Sequence, residues 1–207
     1  MEKGLLITLE GGEGIGKTTQ INFIKNWLDE HNIRYVSTKE PGGTPIGEDL
    51  RKILKNATYE FCPKCEILLF NAARAELVNR VIRPALNNGI TVLCDRYYDS
   101  SVAYQGYGRG LDVSDVAELC NYATGGLVPD LTLWLDLNPI DAFKRKNGAD
   151  VGDRLENTGL EFHKRVYDGF QHLHETHKRI KRVDASLSIE AVSAQIENYL
   201  QDAFFKK

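Results

Sequence analysis

The chain has 207 residues, a formal charge of -3 at pH 7, and 42% hydrophobic and 27% charged residues. That length favours one domain with one sizeable core, and the near-balanced charge excludes a surface built to coat nucleic acid. Nowhere is there the run of roughly eighteen apolar residues that a membrane span needs, and the early run Leu5 to Leu9 has neither the length nor the flanks of a signal peptide, so a cytoplasmic protein is expected.

Leu5 to Leu9 reads as a first strand, and the glycine-rich stretch LEGGEGIGKTTQ ends it and opens a helix expected over Lys17 to His31. Gly11, Gly16, Lys17 and Thr18 fit G-x-x-x-x-G-K-[ST], and the strand and helix on either side make the match specific. In that context the loop from Gly11 through Gly12, Glu13, Gly14, Ile15 and Gly16 to Lys17, Thr18 and Thr19 is a cradle for ATP. Its backbone N–H groups point at phosphate, Lys17 reaches the β and γ oxygens, and the Thr18 hydroxyl helps to hold Mg2+. Glu13 is the anomaly, because a carboxylate aimed at phosphates repels them. It is expected to turn towards a neutral donor such as a sugar hydroxyl on a second ligand, or else to face solvent.

Further along, Arg34 to Ser37 reads as a second strand. The CPKC pair, Cys62 and Cys65, lacks the second pair or spaced histidines of a zinc site and the strand-to-helix setting of a redox motif. Ordinary thiols beginning or preceding a helix are favoured over a metal or redox role. That helix is expected over Pro63 to Asn88, with Phe70 and Arg74 four residues apart on one face, an aromatic plane and a guanidinium suited to a base. Periodicity alone favours a core position for Phe70.

The strand Thr91 to Asp95 runs into DRYYDSSVAYQGYGRG and leaves Asp95 and Arg96 at its carboxyl end, where open parallel sheets bind ligands. Asp95 is the first choice to hold Mg2+, and Asp136, at the end of LTLWLD, is its rival. Arg96 is placed as a fork for a phosphate. If Ser101, Tyr104 and Gln105 lie on a helix, their spacing gives two hydroxyls and an amide on one face. The remaining elements are a helix over Val113 to Thr124, a strand over Leu131 to Leu137, helices over Pro139 to Asn147 and Gly159 to His177, a weaker strand at Ile180 to Asp184 and a last helix over Ser188 to Phe204. Asn147 to Gly159, NGADVGDRLENTG, is a candidate mobile loop. His31, His163, His172, His174 and His177 fall on polar helical segments outside every motif, which points to the surface. Five strands alternating with helices predict an α/β fold, a five-stranded parallel sheet flanked by helices in the three-layer P-loop NTPase arrangement, as one domain over 1–207. The guanine-reading motif N-K-x-D of small GTPases is missing from the sequence.

The stretches EGGEGIGKTT, EPGGTPIGEDLRKIL, LLFNAAR, DRYYDSSVAYQGYGRG, PDLTLWLDL and DRLE, in this order over nearly the whole chain, resemble the bacterial thymidylate kinase family, and the D-R-Y-x-x-S-x-x-A-Y-Q-G block is highly specific to it. The resemblance implies transfer of the γ-phosphoryl group of ATP to dTMP, with Mg2+, in a homodimer, without nucleic acid or membrane as partners. It implies that Phe70 stacks on thymine while Arg74, Ser101 and Gln105 read its polar edge. Tyr104 then lies against the sugar and disfavours a 2′-hydroxyl, and Glu13 contacts the 3′-hydroxyl. Arg51 and Arg96 clamp the dTMP phosphate, with Glu40 ordering that side. Arg145 and Arg154 match basic positions at the edge of and within a lid at about 147–159, Arg154 being the first choice to stabilise the transferring group beside Lys17 and Arg96. The chain departs from the family at Lys39, where arginine is common, and at Asp150, in a region where many relatives carry arginines. Another nucleoside monophosphate kinase of the same fold and a nucleotide-binding module without turnover are the competing readings.

Overall fold

A computed structural model describes residues 4–146 and 158–206. Its strands are β1 (Leu6–Gly11), β2 (Tyr35–Lys39), β3 (Thr91–Asp95), β4 (Leu131–Asp136) and β5 (Ile180–Asp184), and they form one sheet in the order β2-β3-β1-β4-β5. Every neighbouring pair is parallel, as expected from the alternation of strands and helices. β1 and β4 are buried along their whole length, whereas β2 lies at an edge and is half exposed. Burial on both faces explains why β1 and β4 are apolar without alternation. The buried hydroxyls of Thr8 and Thr132 bond each other at 2.7 Å, so neither strand buries an unpaired polar group there.

The helices are α1 (Lys17–Glu30), α2 (Pro45–Asn56), α3 (Pro63–Leu77), α4 (Arg83–Asn87), α5 (Tyr98–Ser101), α6 (Val113–Thr124), α7 (Pro139–Lys146), α8 (Leu160–Thr176) and α9 (Ile189–Phe205). Ile7, Leu9, Leu133 and Leu135 pack against Ile24 and Leu28 of α1 and Ile196 and Leu200 of α9. Their alternates face the other side, where Leu6 and Val92 meet Leu77 and Leu86, and Trp134 meets Phe162, Val166 and Phe170 of α8. Strand alternation thus feeds two apolar layers, each closed by helices. Among the described residues no helix is long and apolar enough to cross a membrane.

Three differences from the sequence reading have local causes. β1 runs on to Glu10 and Gly11 because these pair with Trp134 and Leu135 of β4. The helix expected over Pro63 to Asn88 is broken by a π-helical turn at Val78–Ile82, just before Pro84, whose missing N–H removes one bond of the α-ladder. α2 was assigned no element in the sequence, yet Thr44 caps it by accepting from the Gly47 N–H at 3.1 Å and Pro45 occupies its first position. Glu48 reaches back to accept from the Gly43 N–H at 3.0 Å. Thr44→Ala should therefore lower the unfolding free energy by about 1 kcal/mol, read as a shift in the urea midpoint; an unchanged midpoint would deny that the cap matters.

Candidate active site

β1 lies between β3 and β4, and the chain crosses from one side of it to the other, so a crevice opens at the carboxyl ends of these strands. The loop after β1 fills it. Gly11 has φ of 134°, and a Cβ there would lie 2.7 Å from the Leu135 carbonyl oxygen, so only glycine fits. Gly16 has φ of 94° and begins α1 without any side-chain cap. The first N–H groups of α1 are therefore left for an anion, which is the property a phosphate cradle needs. Ile15 drops its side chain into the core and anchors the loop. Lys17 is buried and donates to the Gly12 carbonyl; burial lowers its pKa, and the nearby Arg96 charge lowers it further.

Beside the loop lies a cavity of about 330 Å³ lined by Glu13, Lys17, Thr18, Glu40, Arg51, Phe70, Arg74, Asp95, Arg96, Ser101, Tyr104 and Gln105. The structure thus brings the residues read from four separate motifs to one wall. Phe70 faces this cavity, not the interior of the core that periodicity alone favoured. Ser101 closes α5, while Tyr104 and Gln105 sit in a π-helical segment, Val102–Gly108. Their shared face thus arises from a wider turn than the α-helical spacing supposed. Arg51 donates to the Pro41 carbonyl at 2.9 Å.

Arg96 is the hub. Its backbone is left-handed, with φ of 70°, a conformation that costs a non-glycine residue roughly 1–3 kcal/mol. The surroundings hold it there: its N–H donates to the Leu9 carbonyl at 3.0 Å, and Nη1 donates to the Gly11 carbonyl at 2.8 Å and the Ser100 hydroxyl at 2.9 Å. Nη2 donates to Glu13 and, at 3.2 Å, to the Tyr104 hydroxyl, and the guanidinium covers the Tyr104 ring 5.1 Å from its centroid. Here the structure adds to the sequence reading of Glu13. Its partner within the chain is a guanidinium, which elimination among neutral donors had not considered. Burial alone would raise the Glu13 pKa, but Arg96 and then Lys17 overcome it and hold the carboxyl far below its usual range.

Asp95 also lines the cavity, and its buried Oδ1 has no hydrogen-bond partner among the described residues. Asp136 is spent elsewhere, accepting from Arg182 Nε at 2.5 Å. No cluster of three or more histidine, cysteine or carboxylate side chains able to hold a metal occurs among the described residues. A single unpartnered carboxylate oxygen is what Mg2+ accepts, since it takes one or two carboxylates and keeps substrate phosphates and water as its other ligands. Arg145 is not brought to the cavity; it donates to the carbonyls of Ala185 at 2.9 Å and Ser186 at 3.2 Å. Arg154, and the expected lid up to residue 157, lie outside the described residues. Cys62 caps α3, its Sγ accepting from the Cys65 N–H at 3.4 Å, as the helix-start reading had it. His163 is a correction: it is buried, edge-on to Phe143 and Phe162, because it lies on the inner face of α8 and not on a polar surface.

Around these residues lie supporting groups that the sequence reading missed, among them Asn71, Glu66, Asp99 and Glu10. Arg74 is fully buried, donating to Glu40 at 2.8 Å, to Asn71 at 2.8 Å and to Ser101 at 2.9 Å. Glu66 holds Gln105 and Arg109, and a stripe signal was available, since Glu66, Phe70 and Arg74 follow at steps of four on α3. Asp99 is gripped by Arg179 through both oxygens, at 2.7 and 2.8 Å. Glu10 accepts from the Tyr97 N–H at 2.8 Å and the Ser100 hydroxyl at 2.5 Å, so it supports Arg96 through Ser100. Burial, and then the Asp99 charge, push the Glu10 carboxyl up to about 8.

A parallel sheet with a glycine loop at its switch point, and a guanidinium-rich cavity beside that loop, define a P-loop nucleotide-binding protein with room for a second anionic ligand. Comparison with known proteins gives the family. Residues 9–196 match the family model described as Thymidylate kinase. Curated relatives called thymidylate kinase include one from Synechococcus sp. (strain JA-3-3Ab), 51% identical over 93% of this chain and 93% of its own. One from Gloeobacter violaceus is 49% identical over 94% and 93%, and one from Carboxydothermus hydrogenoformans is 45% identical over 96% and 98%. The chain belongs to the thymidylate kinase family.

The raised Glu10 carboxyl makes a pH prediction. Between its unfolded value of 4.5 and about 8 the folded chain holds a proton that the unfolded chain releases, so this group's contribution to stability is full below 4.5 and lost as pH rises through about 8. Glu10→Gln, neutral throughout, should flatten the fall in unfolding free energy across that window in denaturant titrations at several pH values. Parallel slopes for the two proteins would contradict it.

Proposed function

We propose that this protein phosphorylates dTMP with ATP, giving dTDP and ADP. The observation that carries the reading is the joining of two sites on one loop, whose backbone forms a phosphate cradle while its Glu13 faces the cavity of Phe70, Arg74 and Gln105. Family membership supports the same activity over another monophosphate acceptor or a module without turnover.

In this reading ATP lies with its phosphates on the loop and the N-terminus of α1, and Lys17 reaches the β and γ oxygens. Thr18 and the unpartnered Oδ1 of Asp95 would hold Mg2+, directly or through water. Mg2+ held there would supply neutralisation of phosphate charge. Thymine stacks on Phe70, and Arg74, Ser101 and Gln105 face its polar edge. The sugar lies against Tyr104, which leaves little room for a 2′-hydroxyl. Arg96 and Arg51 clamp the acceptor phosphate. While that phosphate is away, Glu13 neutralises Arg96; when it arrives, Glu13 is released to the 3′-hydroxyl.

The acceptor is a monoester with a second pKa near ~6, so it is largely a dianion at neutral pH and needs no general base. This accords with a cavity lined by arginines, lysines and carboxylates in which no histidine takes part. Transfer then depends on alignment and on cancelling charge, supplied by Lys17, Arg96 and Arg154 of the segment about 147–159, ahead of Arg145 at its edge. Closure of that segment over ATP keeps water from the transferred group. A homodimer accompanies the reading, supported by exposed apolar side chains on two packed helices, Leu68 on α3 and Ile46 and Ile53 on α2. The cytoplasmic location expected from the sequence accompanies it too.

Purified protein with ATP and magnesium should convert dTMP to dTDP in preference to dCMP and thymidine. Lack of dTMP conversion refutes the reading. Lys17→Ala should lower kcat on the order of 100-fold or more while cooperative unfolding is retained, because the lysine is buried at a cost and serves the nucleotide. Near-normal turnover would remove the cradle from the mechanism. Leu68→Glu should shift the mass seen by light scattering from dimer to monomer; a wild-type protein that is already monomeric would exclude the dimer.

A further inference from the structure

Gln105 stands in the cavity wall, 1% exposed, and its side-chain amide has two chemically opposite ends. Which end meets a ligand is decided from behind. Glu66, wholly buried on α3, accepts from Gln105 Nε2 at 2.9 Å. An ionised carboxylate has no proton to give, so only the nitrogen end of the amide can face it. The carboxylate is itself fixed by Arg109, whose Nε and Nη2 each donate to it at 3.2 Å and whose guanidinium packs over the Phe162 ring at 4.8 Å. The oxygen Oε1 is thereby left as the end of the amide available to a ligand.

A second carboxylate sets the opposite sign next to it. Glu40 holds Arg74 by a 2.8 Å bond, and Arg74 donates to the Ser101 oxygen at 2.9 Å, so the Ser101 hydroxyl keeps its proton to give away. The wall therefore offers a donor at Ser101 and an acceptor at Gln105. Thymine and uracil show the matching order, a carbonyl oxygen beside an N3–H. Cytosine shows the inverse, an amino group beside an unprotonated N3. A buried polar group left unpaired costs more than a made bond gains, so an inverted edge is rejected strongly.

We propose that Glu66 is a specificity-determining positioning residue: by pinning the nitrogen of Gln105 it presents the amide oxygen to the base and selects pyrimidines that carry an N3–H against cytosine. This rests on the dTMP kinase reading and adds to it the residue that sets the base preference without touching the base.

The test compares kcat/KM for dTMP, dUMP and dCMP, with ATP and magnesium, in the wild type and in Glu66→Gln. The variant keeps the shape of the side chain but can accept or donate, so the Gln105 amide is free to turn. The dTMP to dCMP ratio should fall by about tenfold or more, mainly through a higher KM for dTMP, as expected for one lost orienting hydrogen bond in a buried site. The dTMP to dUMP ratio should stay the same, since both bases carry N3–H. If Glu66→Gln is not recovered folded, Glu66→Asp withdraws the oxygen while keeping the charge and should narrow the same ratio. An unchanged dTMP to dCMP ratio in a folded variant, or an equal loss on all three acceptors, overturns the proposal. A wild type that phosphorylates dTMP and dCMP equally well also overturns it. A wild type inactive on dTMP instead removes the function on which the proposal stands.

Discussion

A site for two polyanions has to hold buried cations before either ligand arrives, and a buried guanidinium without a counterion is costly enough to threaten the fold. This chain answers four of its guanidiniums with a carboxylate each. Arg96 is paired with Glu13, Arg74 with Glu40, Arg109 with Glu66 and Arg179 with Asp99. The partners are 83, 34, 43 and 80 residues apart in sequence, so each pair also fastens distant segments to one another. The glycine loop is tied to the end of β3, the β2 turn to α3, and α3 to the π-helical segment. Charge balance and the shape of the cavity are therefore one problem with one solution.

The pairs differ in what a ligand can do to them. The Arg74–Glu40 pair is almost wholly shielded from solvent, and its geometry is fixed by Asn71 and Ser101. Glu13 and Arg96 keep 28% and 15% of their side-chain surface exposed, facing the cavity. A phosphate can compete for Arg96 and leave Arg74 undisturbed. The left-handed backbone of Arg96 fits this division, because the strain is met by backbone and Ser100 bonds that do not depend on Glu13.

Much of this was legible in the sequence, for identifiable reasons. The sheet was readable because β1, β3 and β4 are short apolar runs at the ends of which the pattern changes sharply, and the cradle because glycine spacing and Lys17 have one common use. Residues of the wall were readable where a motif carried them, as with Phe70, Arg74 and Arg96. What escaped depends on contacts between motifs. Glu13 faces Arg96 only because β1 and β3 are neighbours, and Glu66 matters only because α3 lies against the π-helical segment. α2 escaped because Gly47 and its charged face hid a well-capped helix, and the π turns because spacing alone does not distinguish them from α-helical ones. Asp95 was preferred to Asp136 on paper, and the Arg182 bond that occupies Asp136 was not legible there.

The uncapped start of α1 has an effect beyond catalysis. Thr44 and Ser188 close the first turns of α2 and α9 with their own hydroxyls, whereas Gly16 closes nothing. The opening turn of α1 is thus left incomplete by the polypeptide, and in the proposed reading the phosphates of ATP complete it. On that reading nucleotide occupancy would become part of the fold's own integrity, a bound triphosphate stabilising the chain that consumes it.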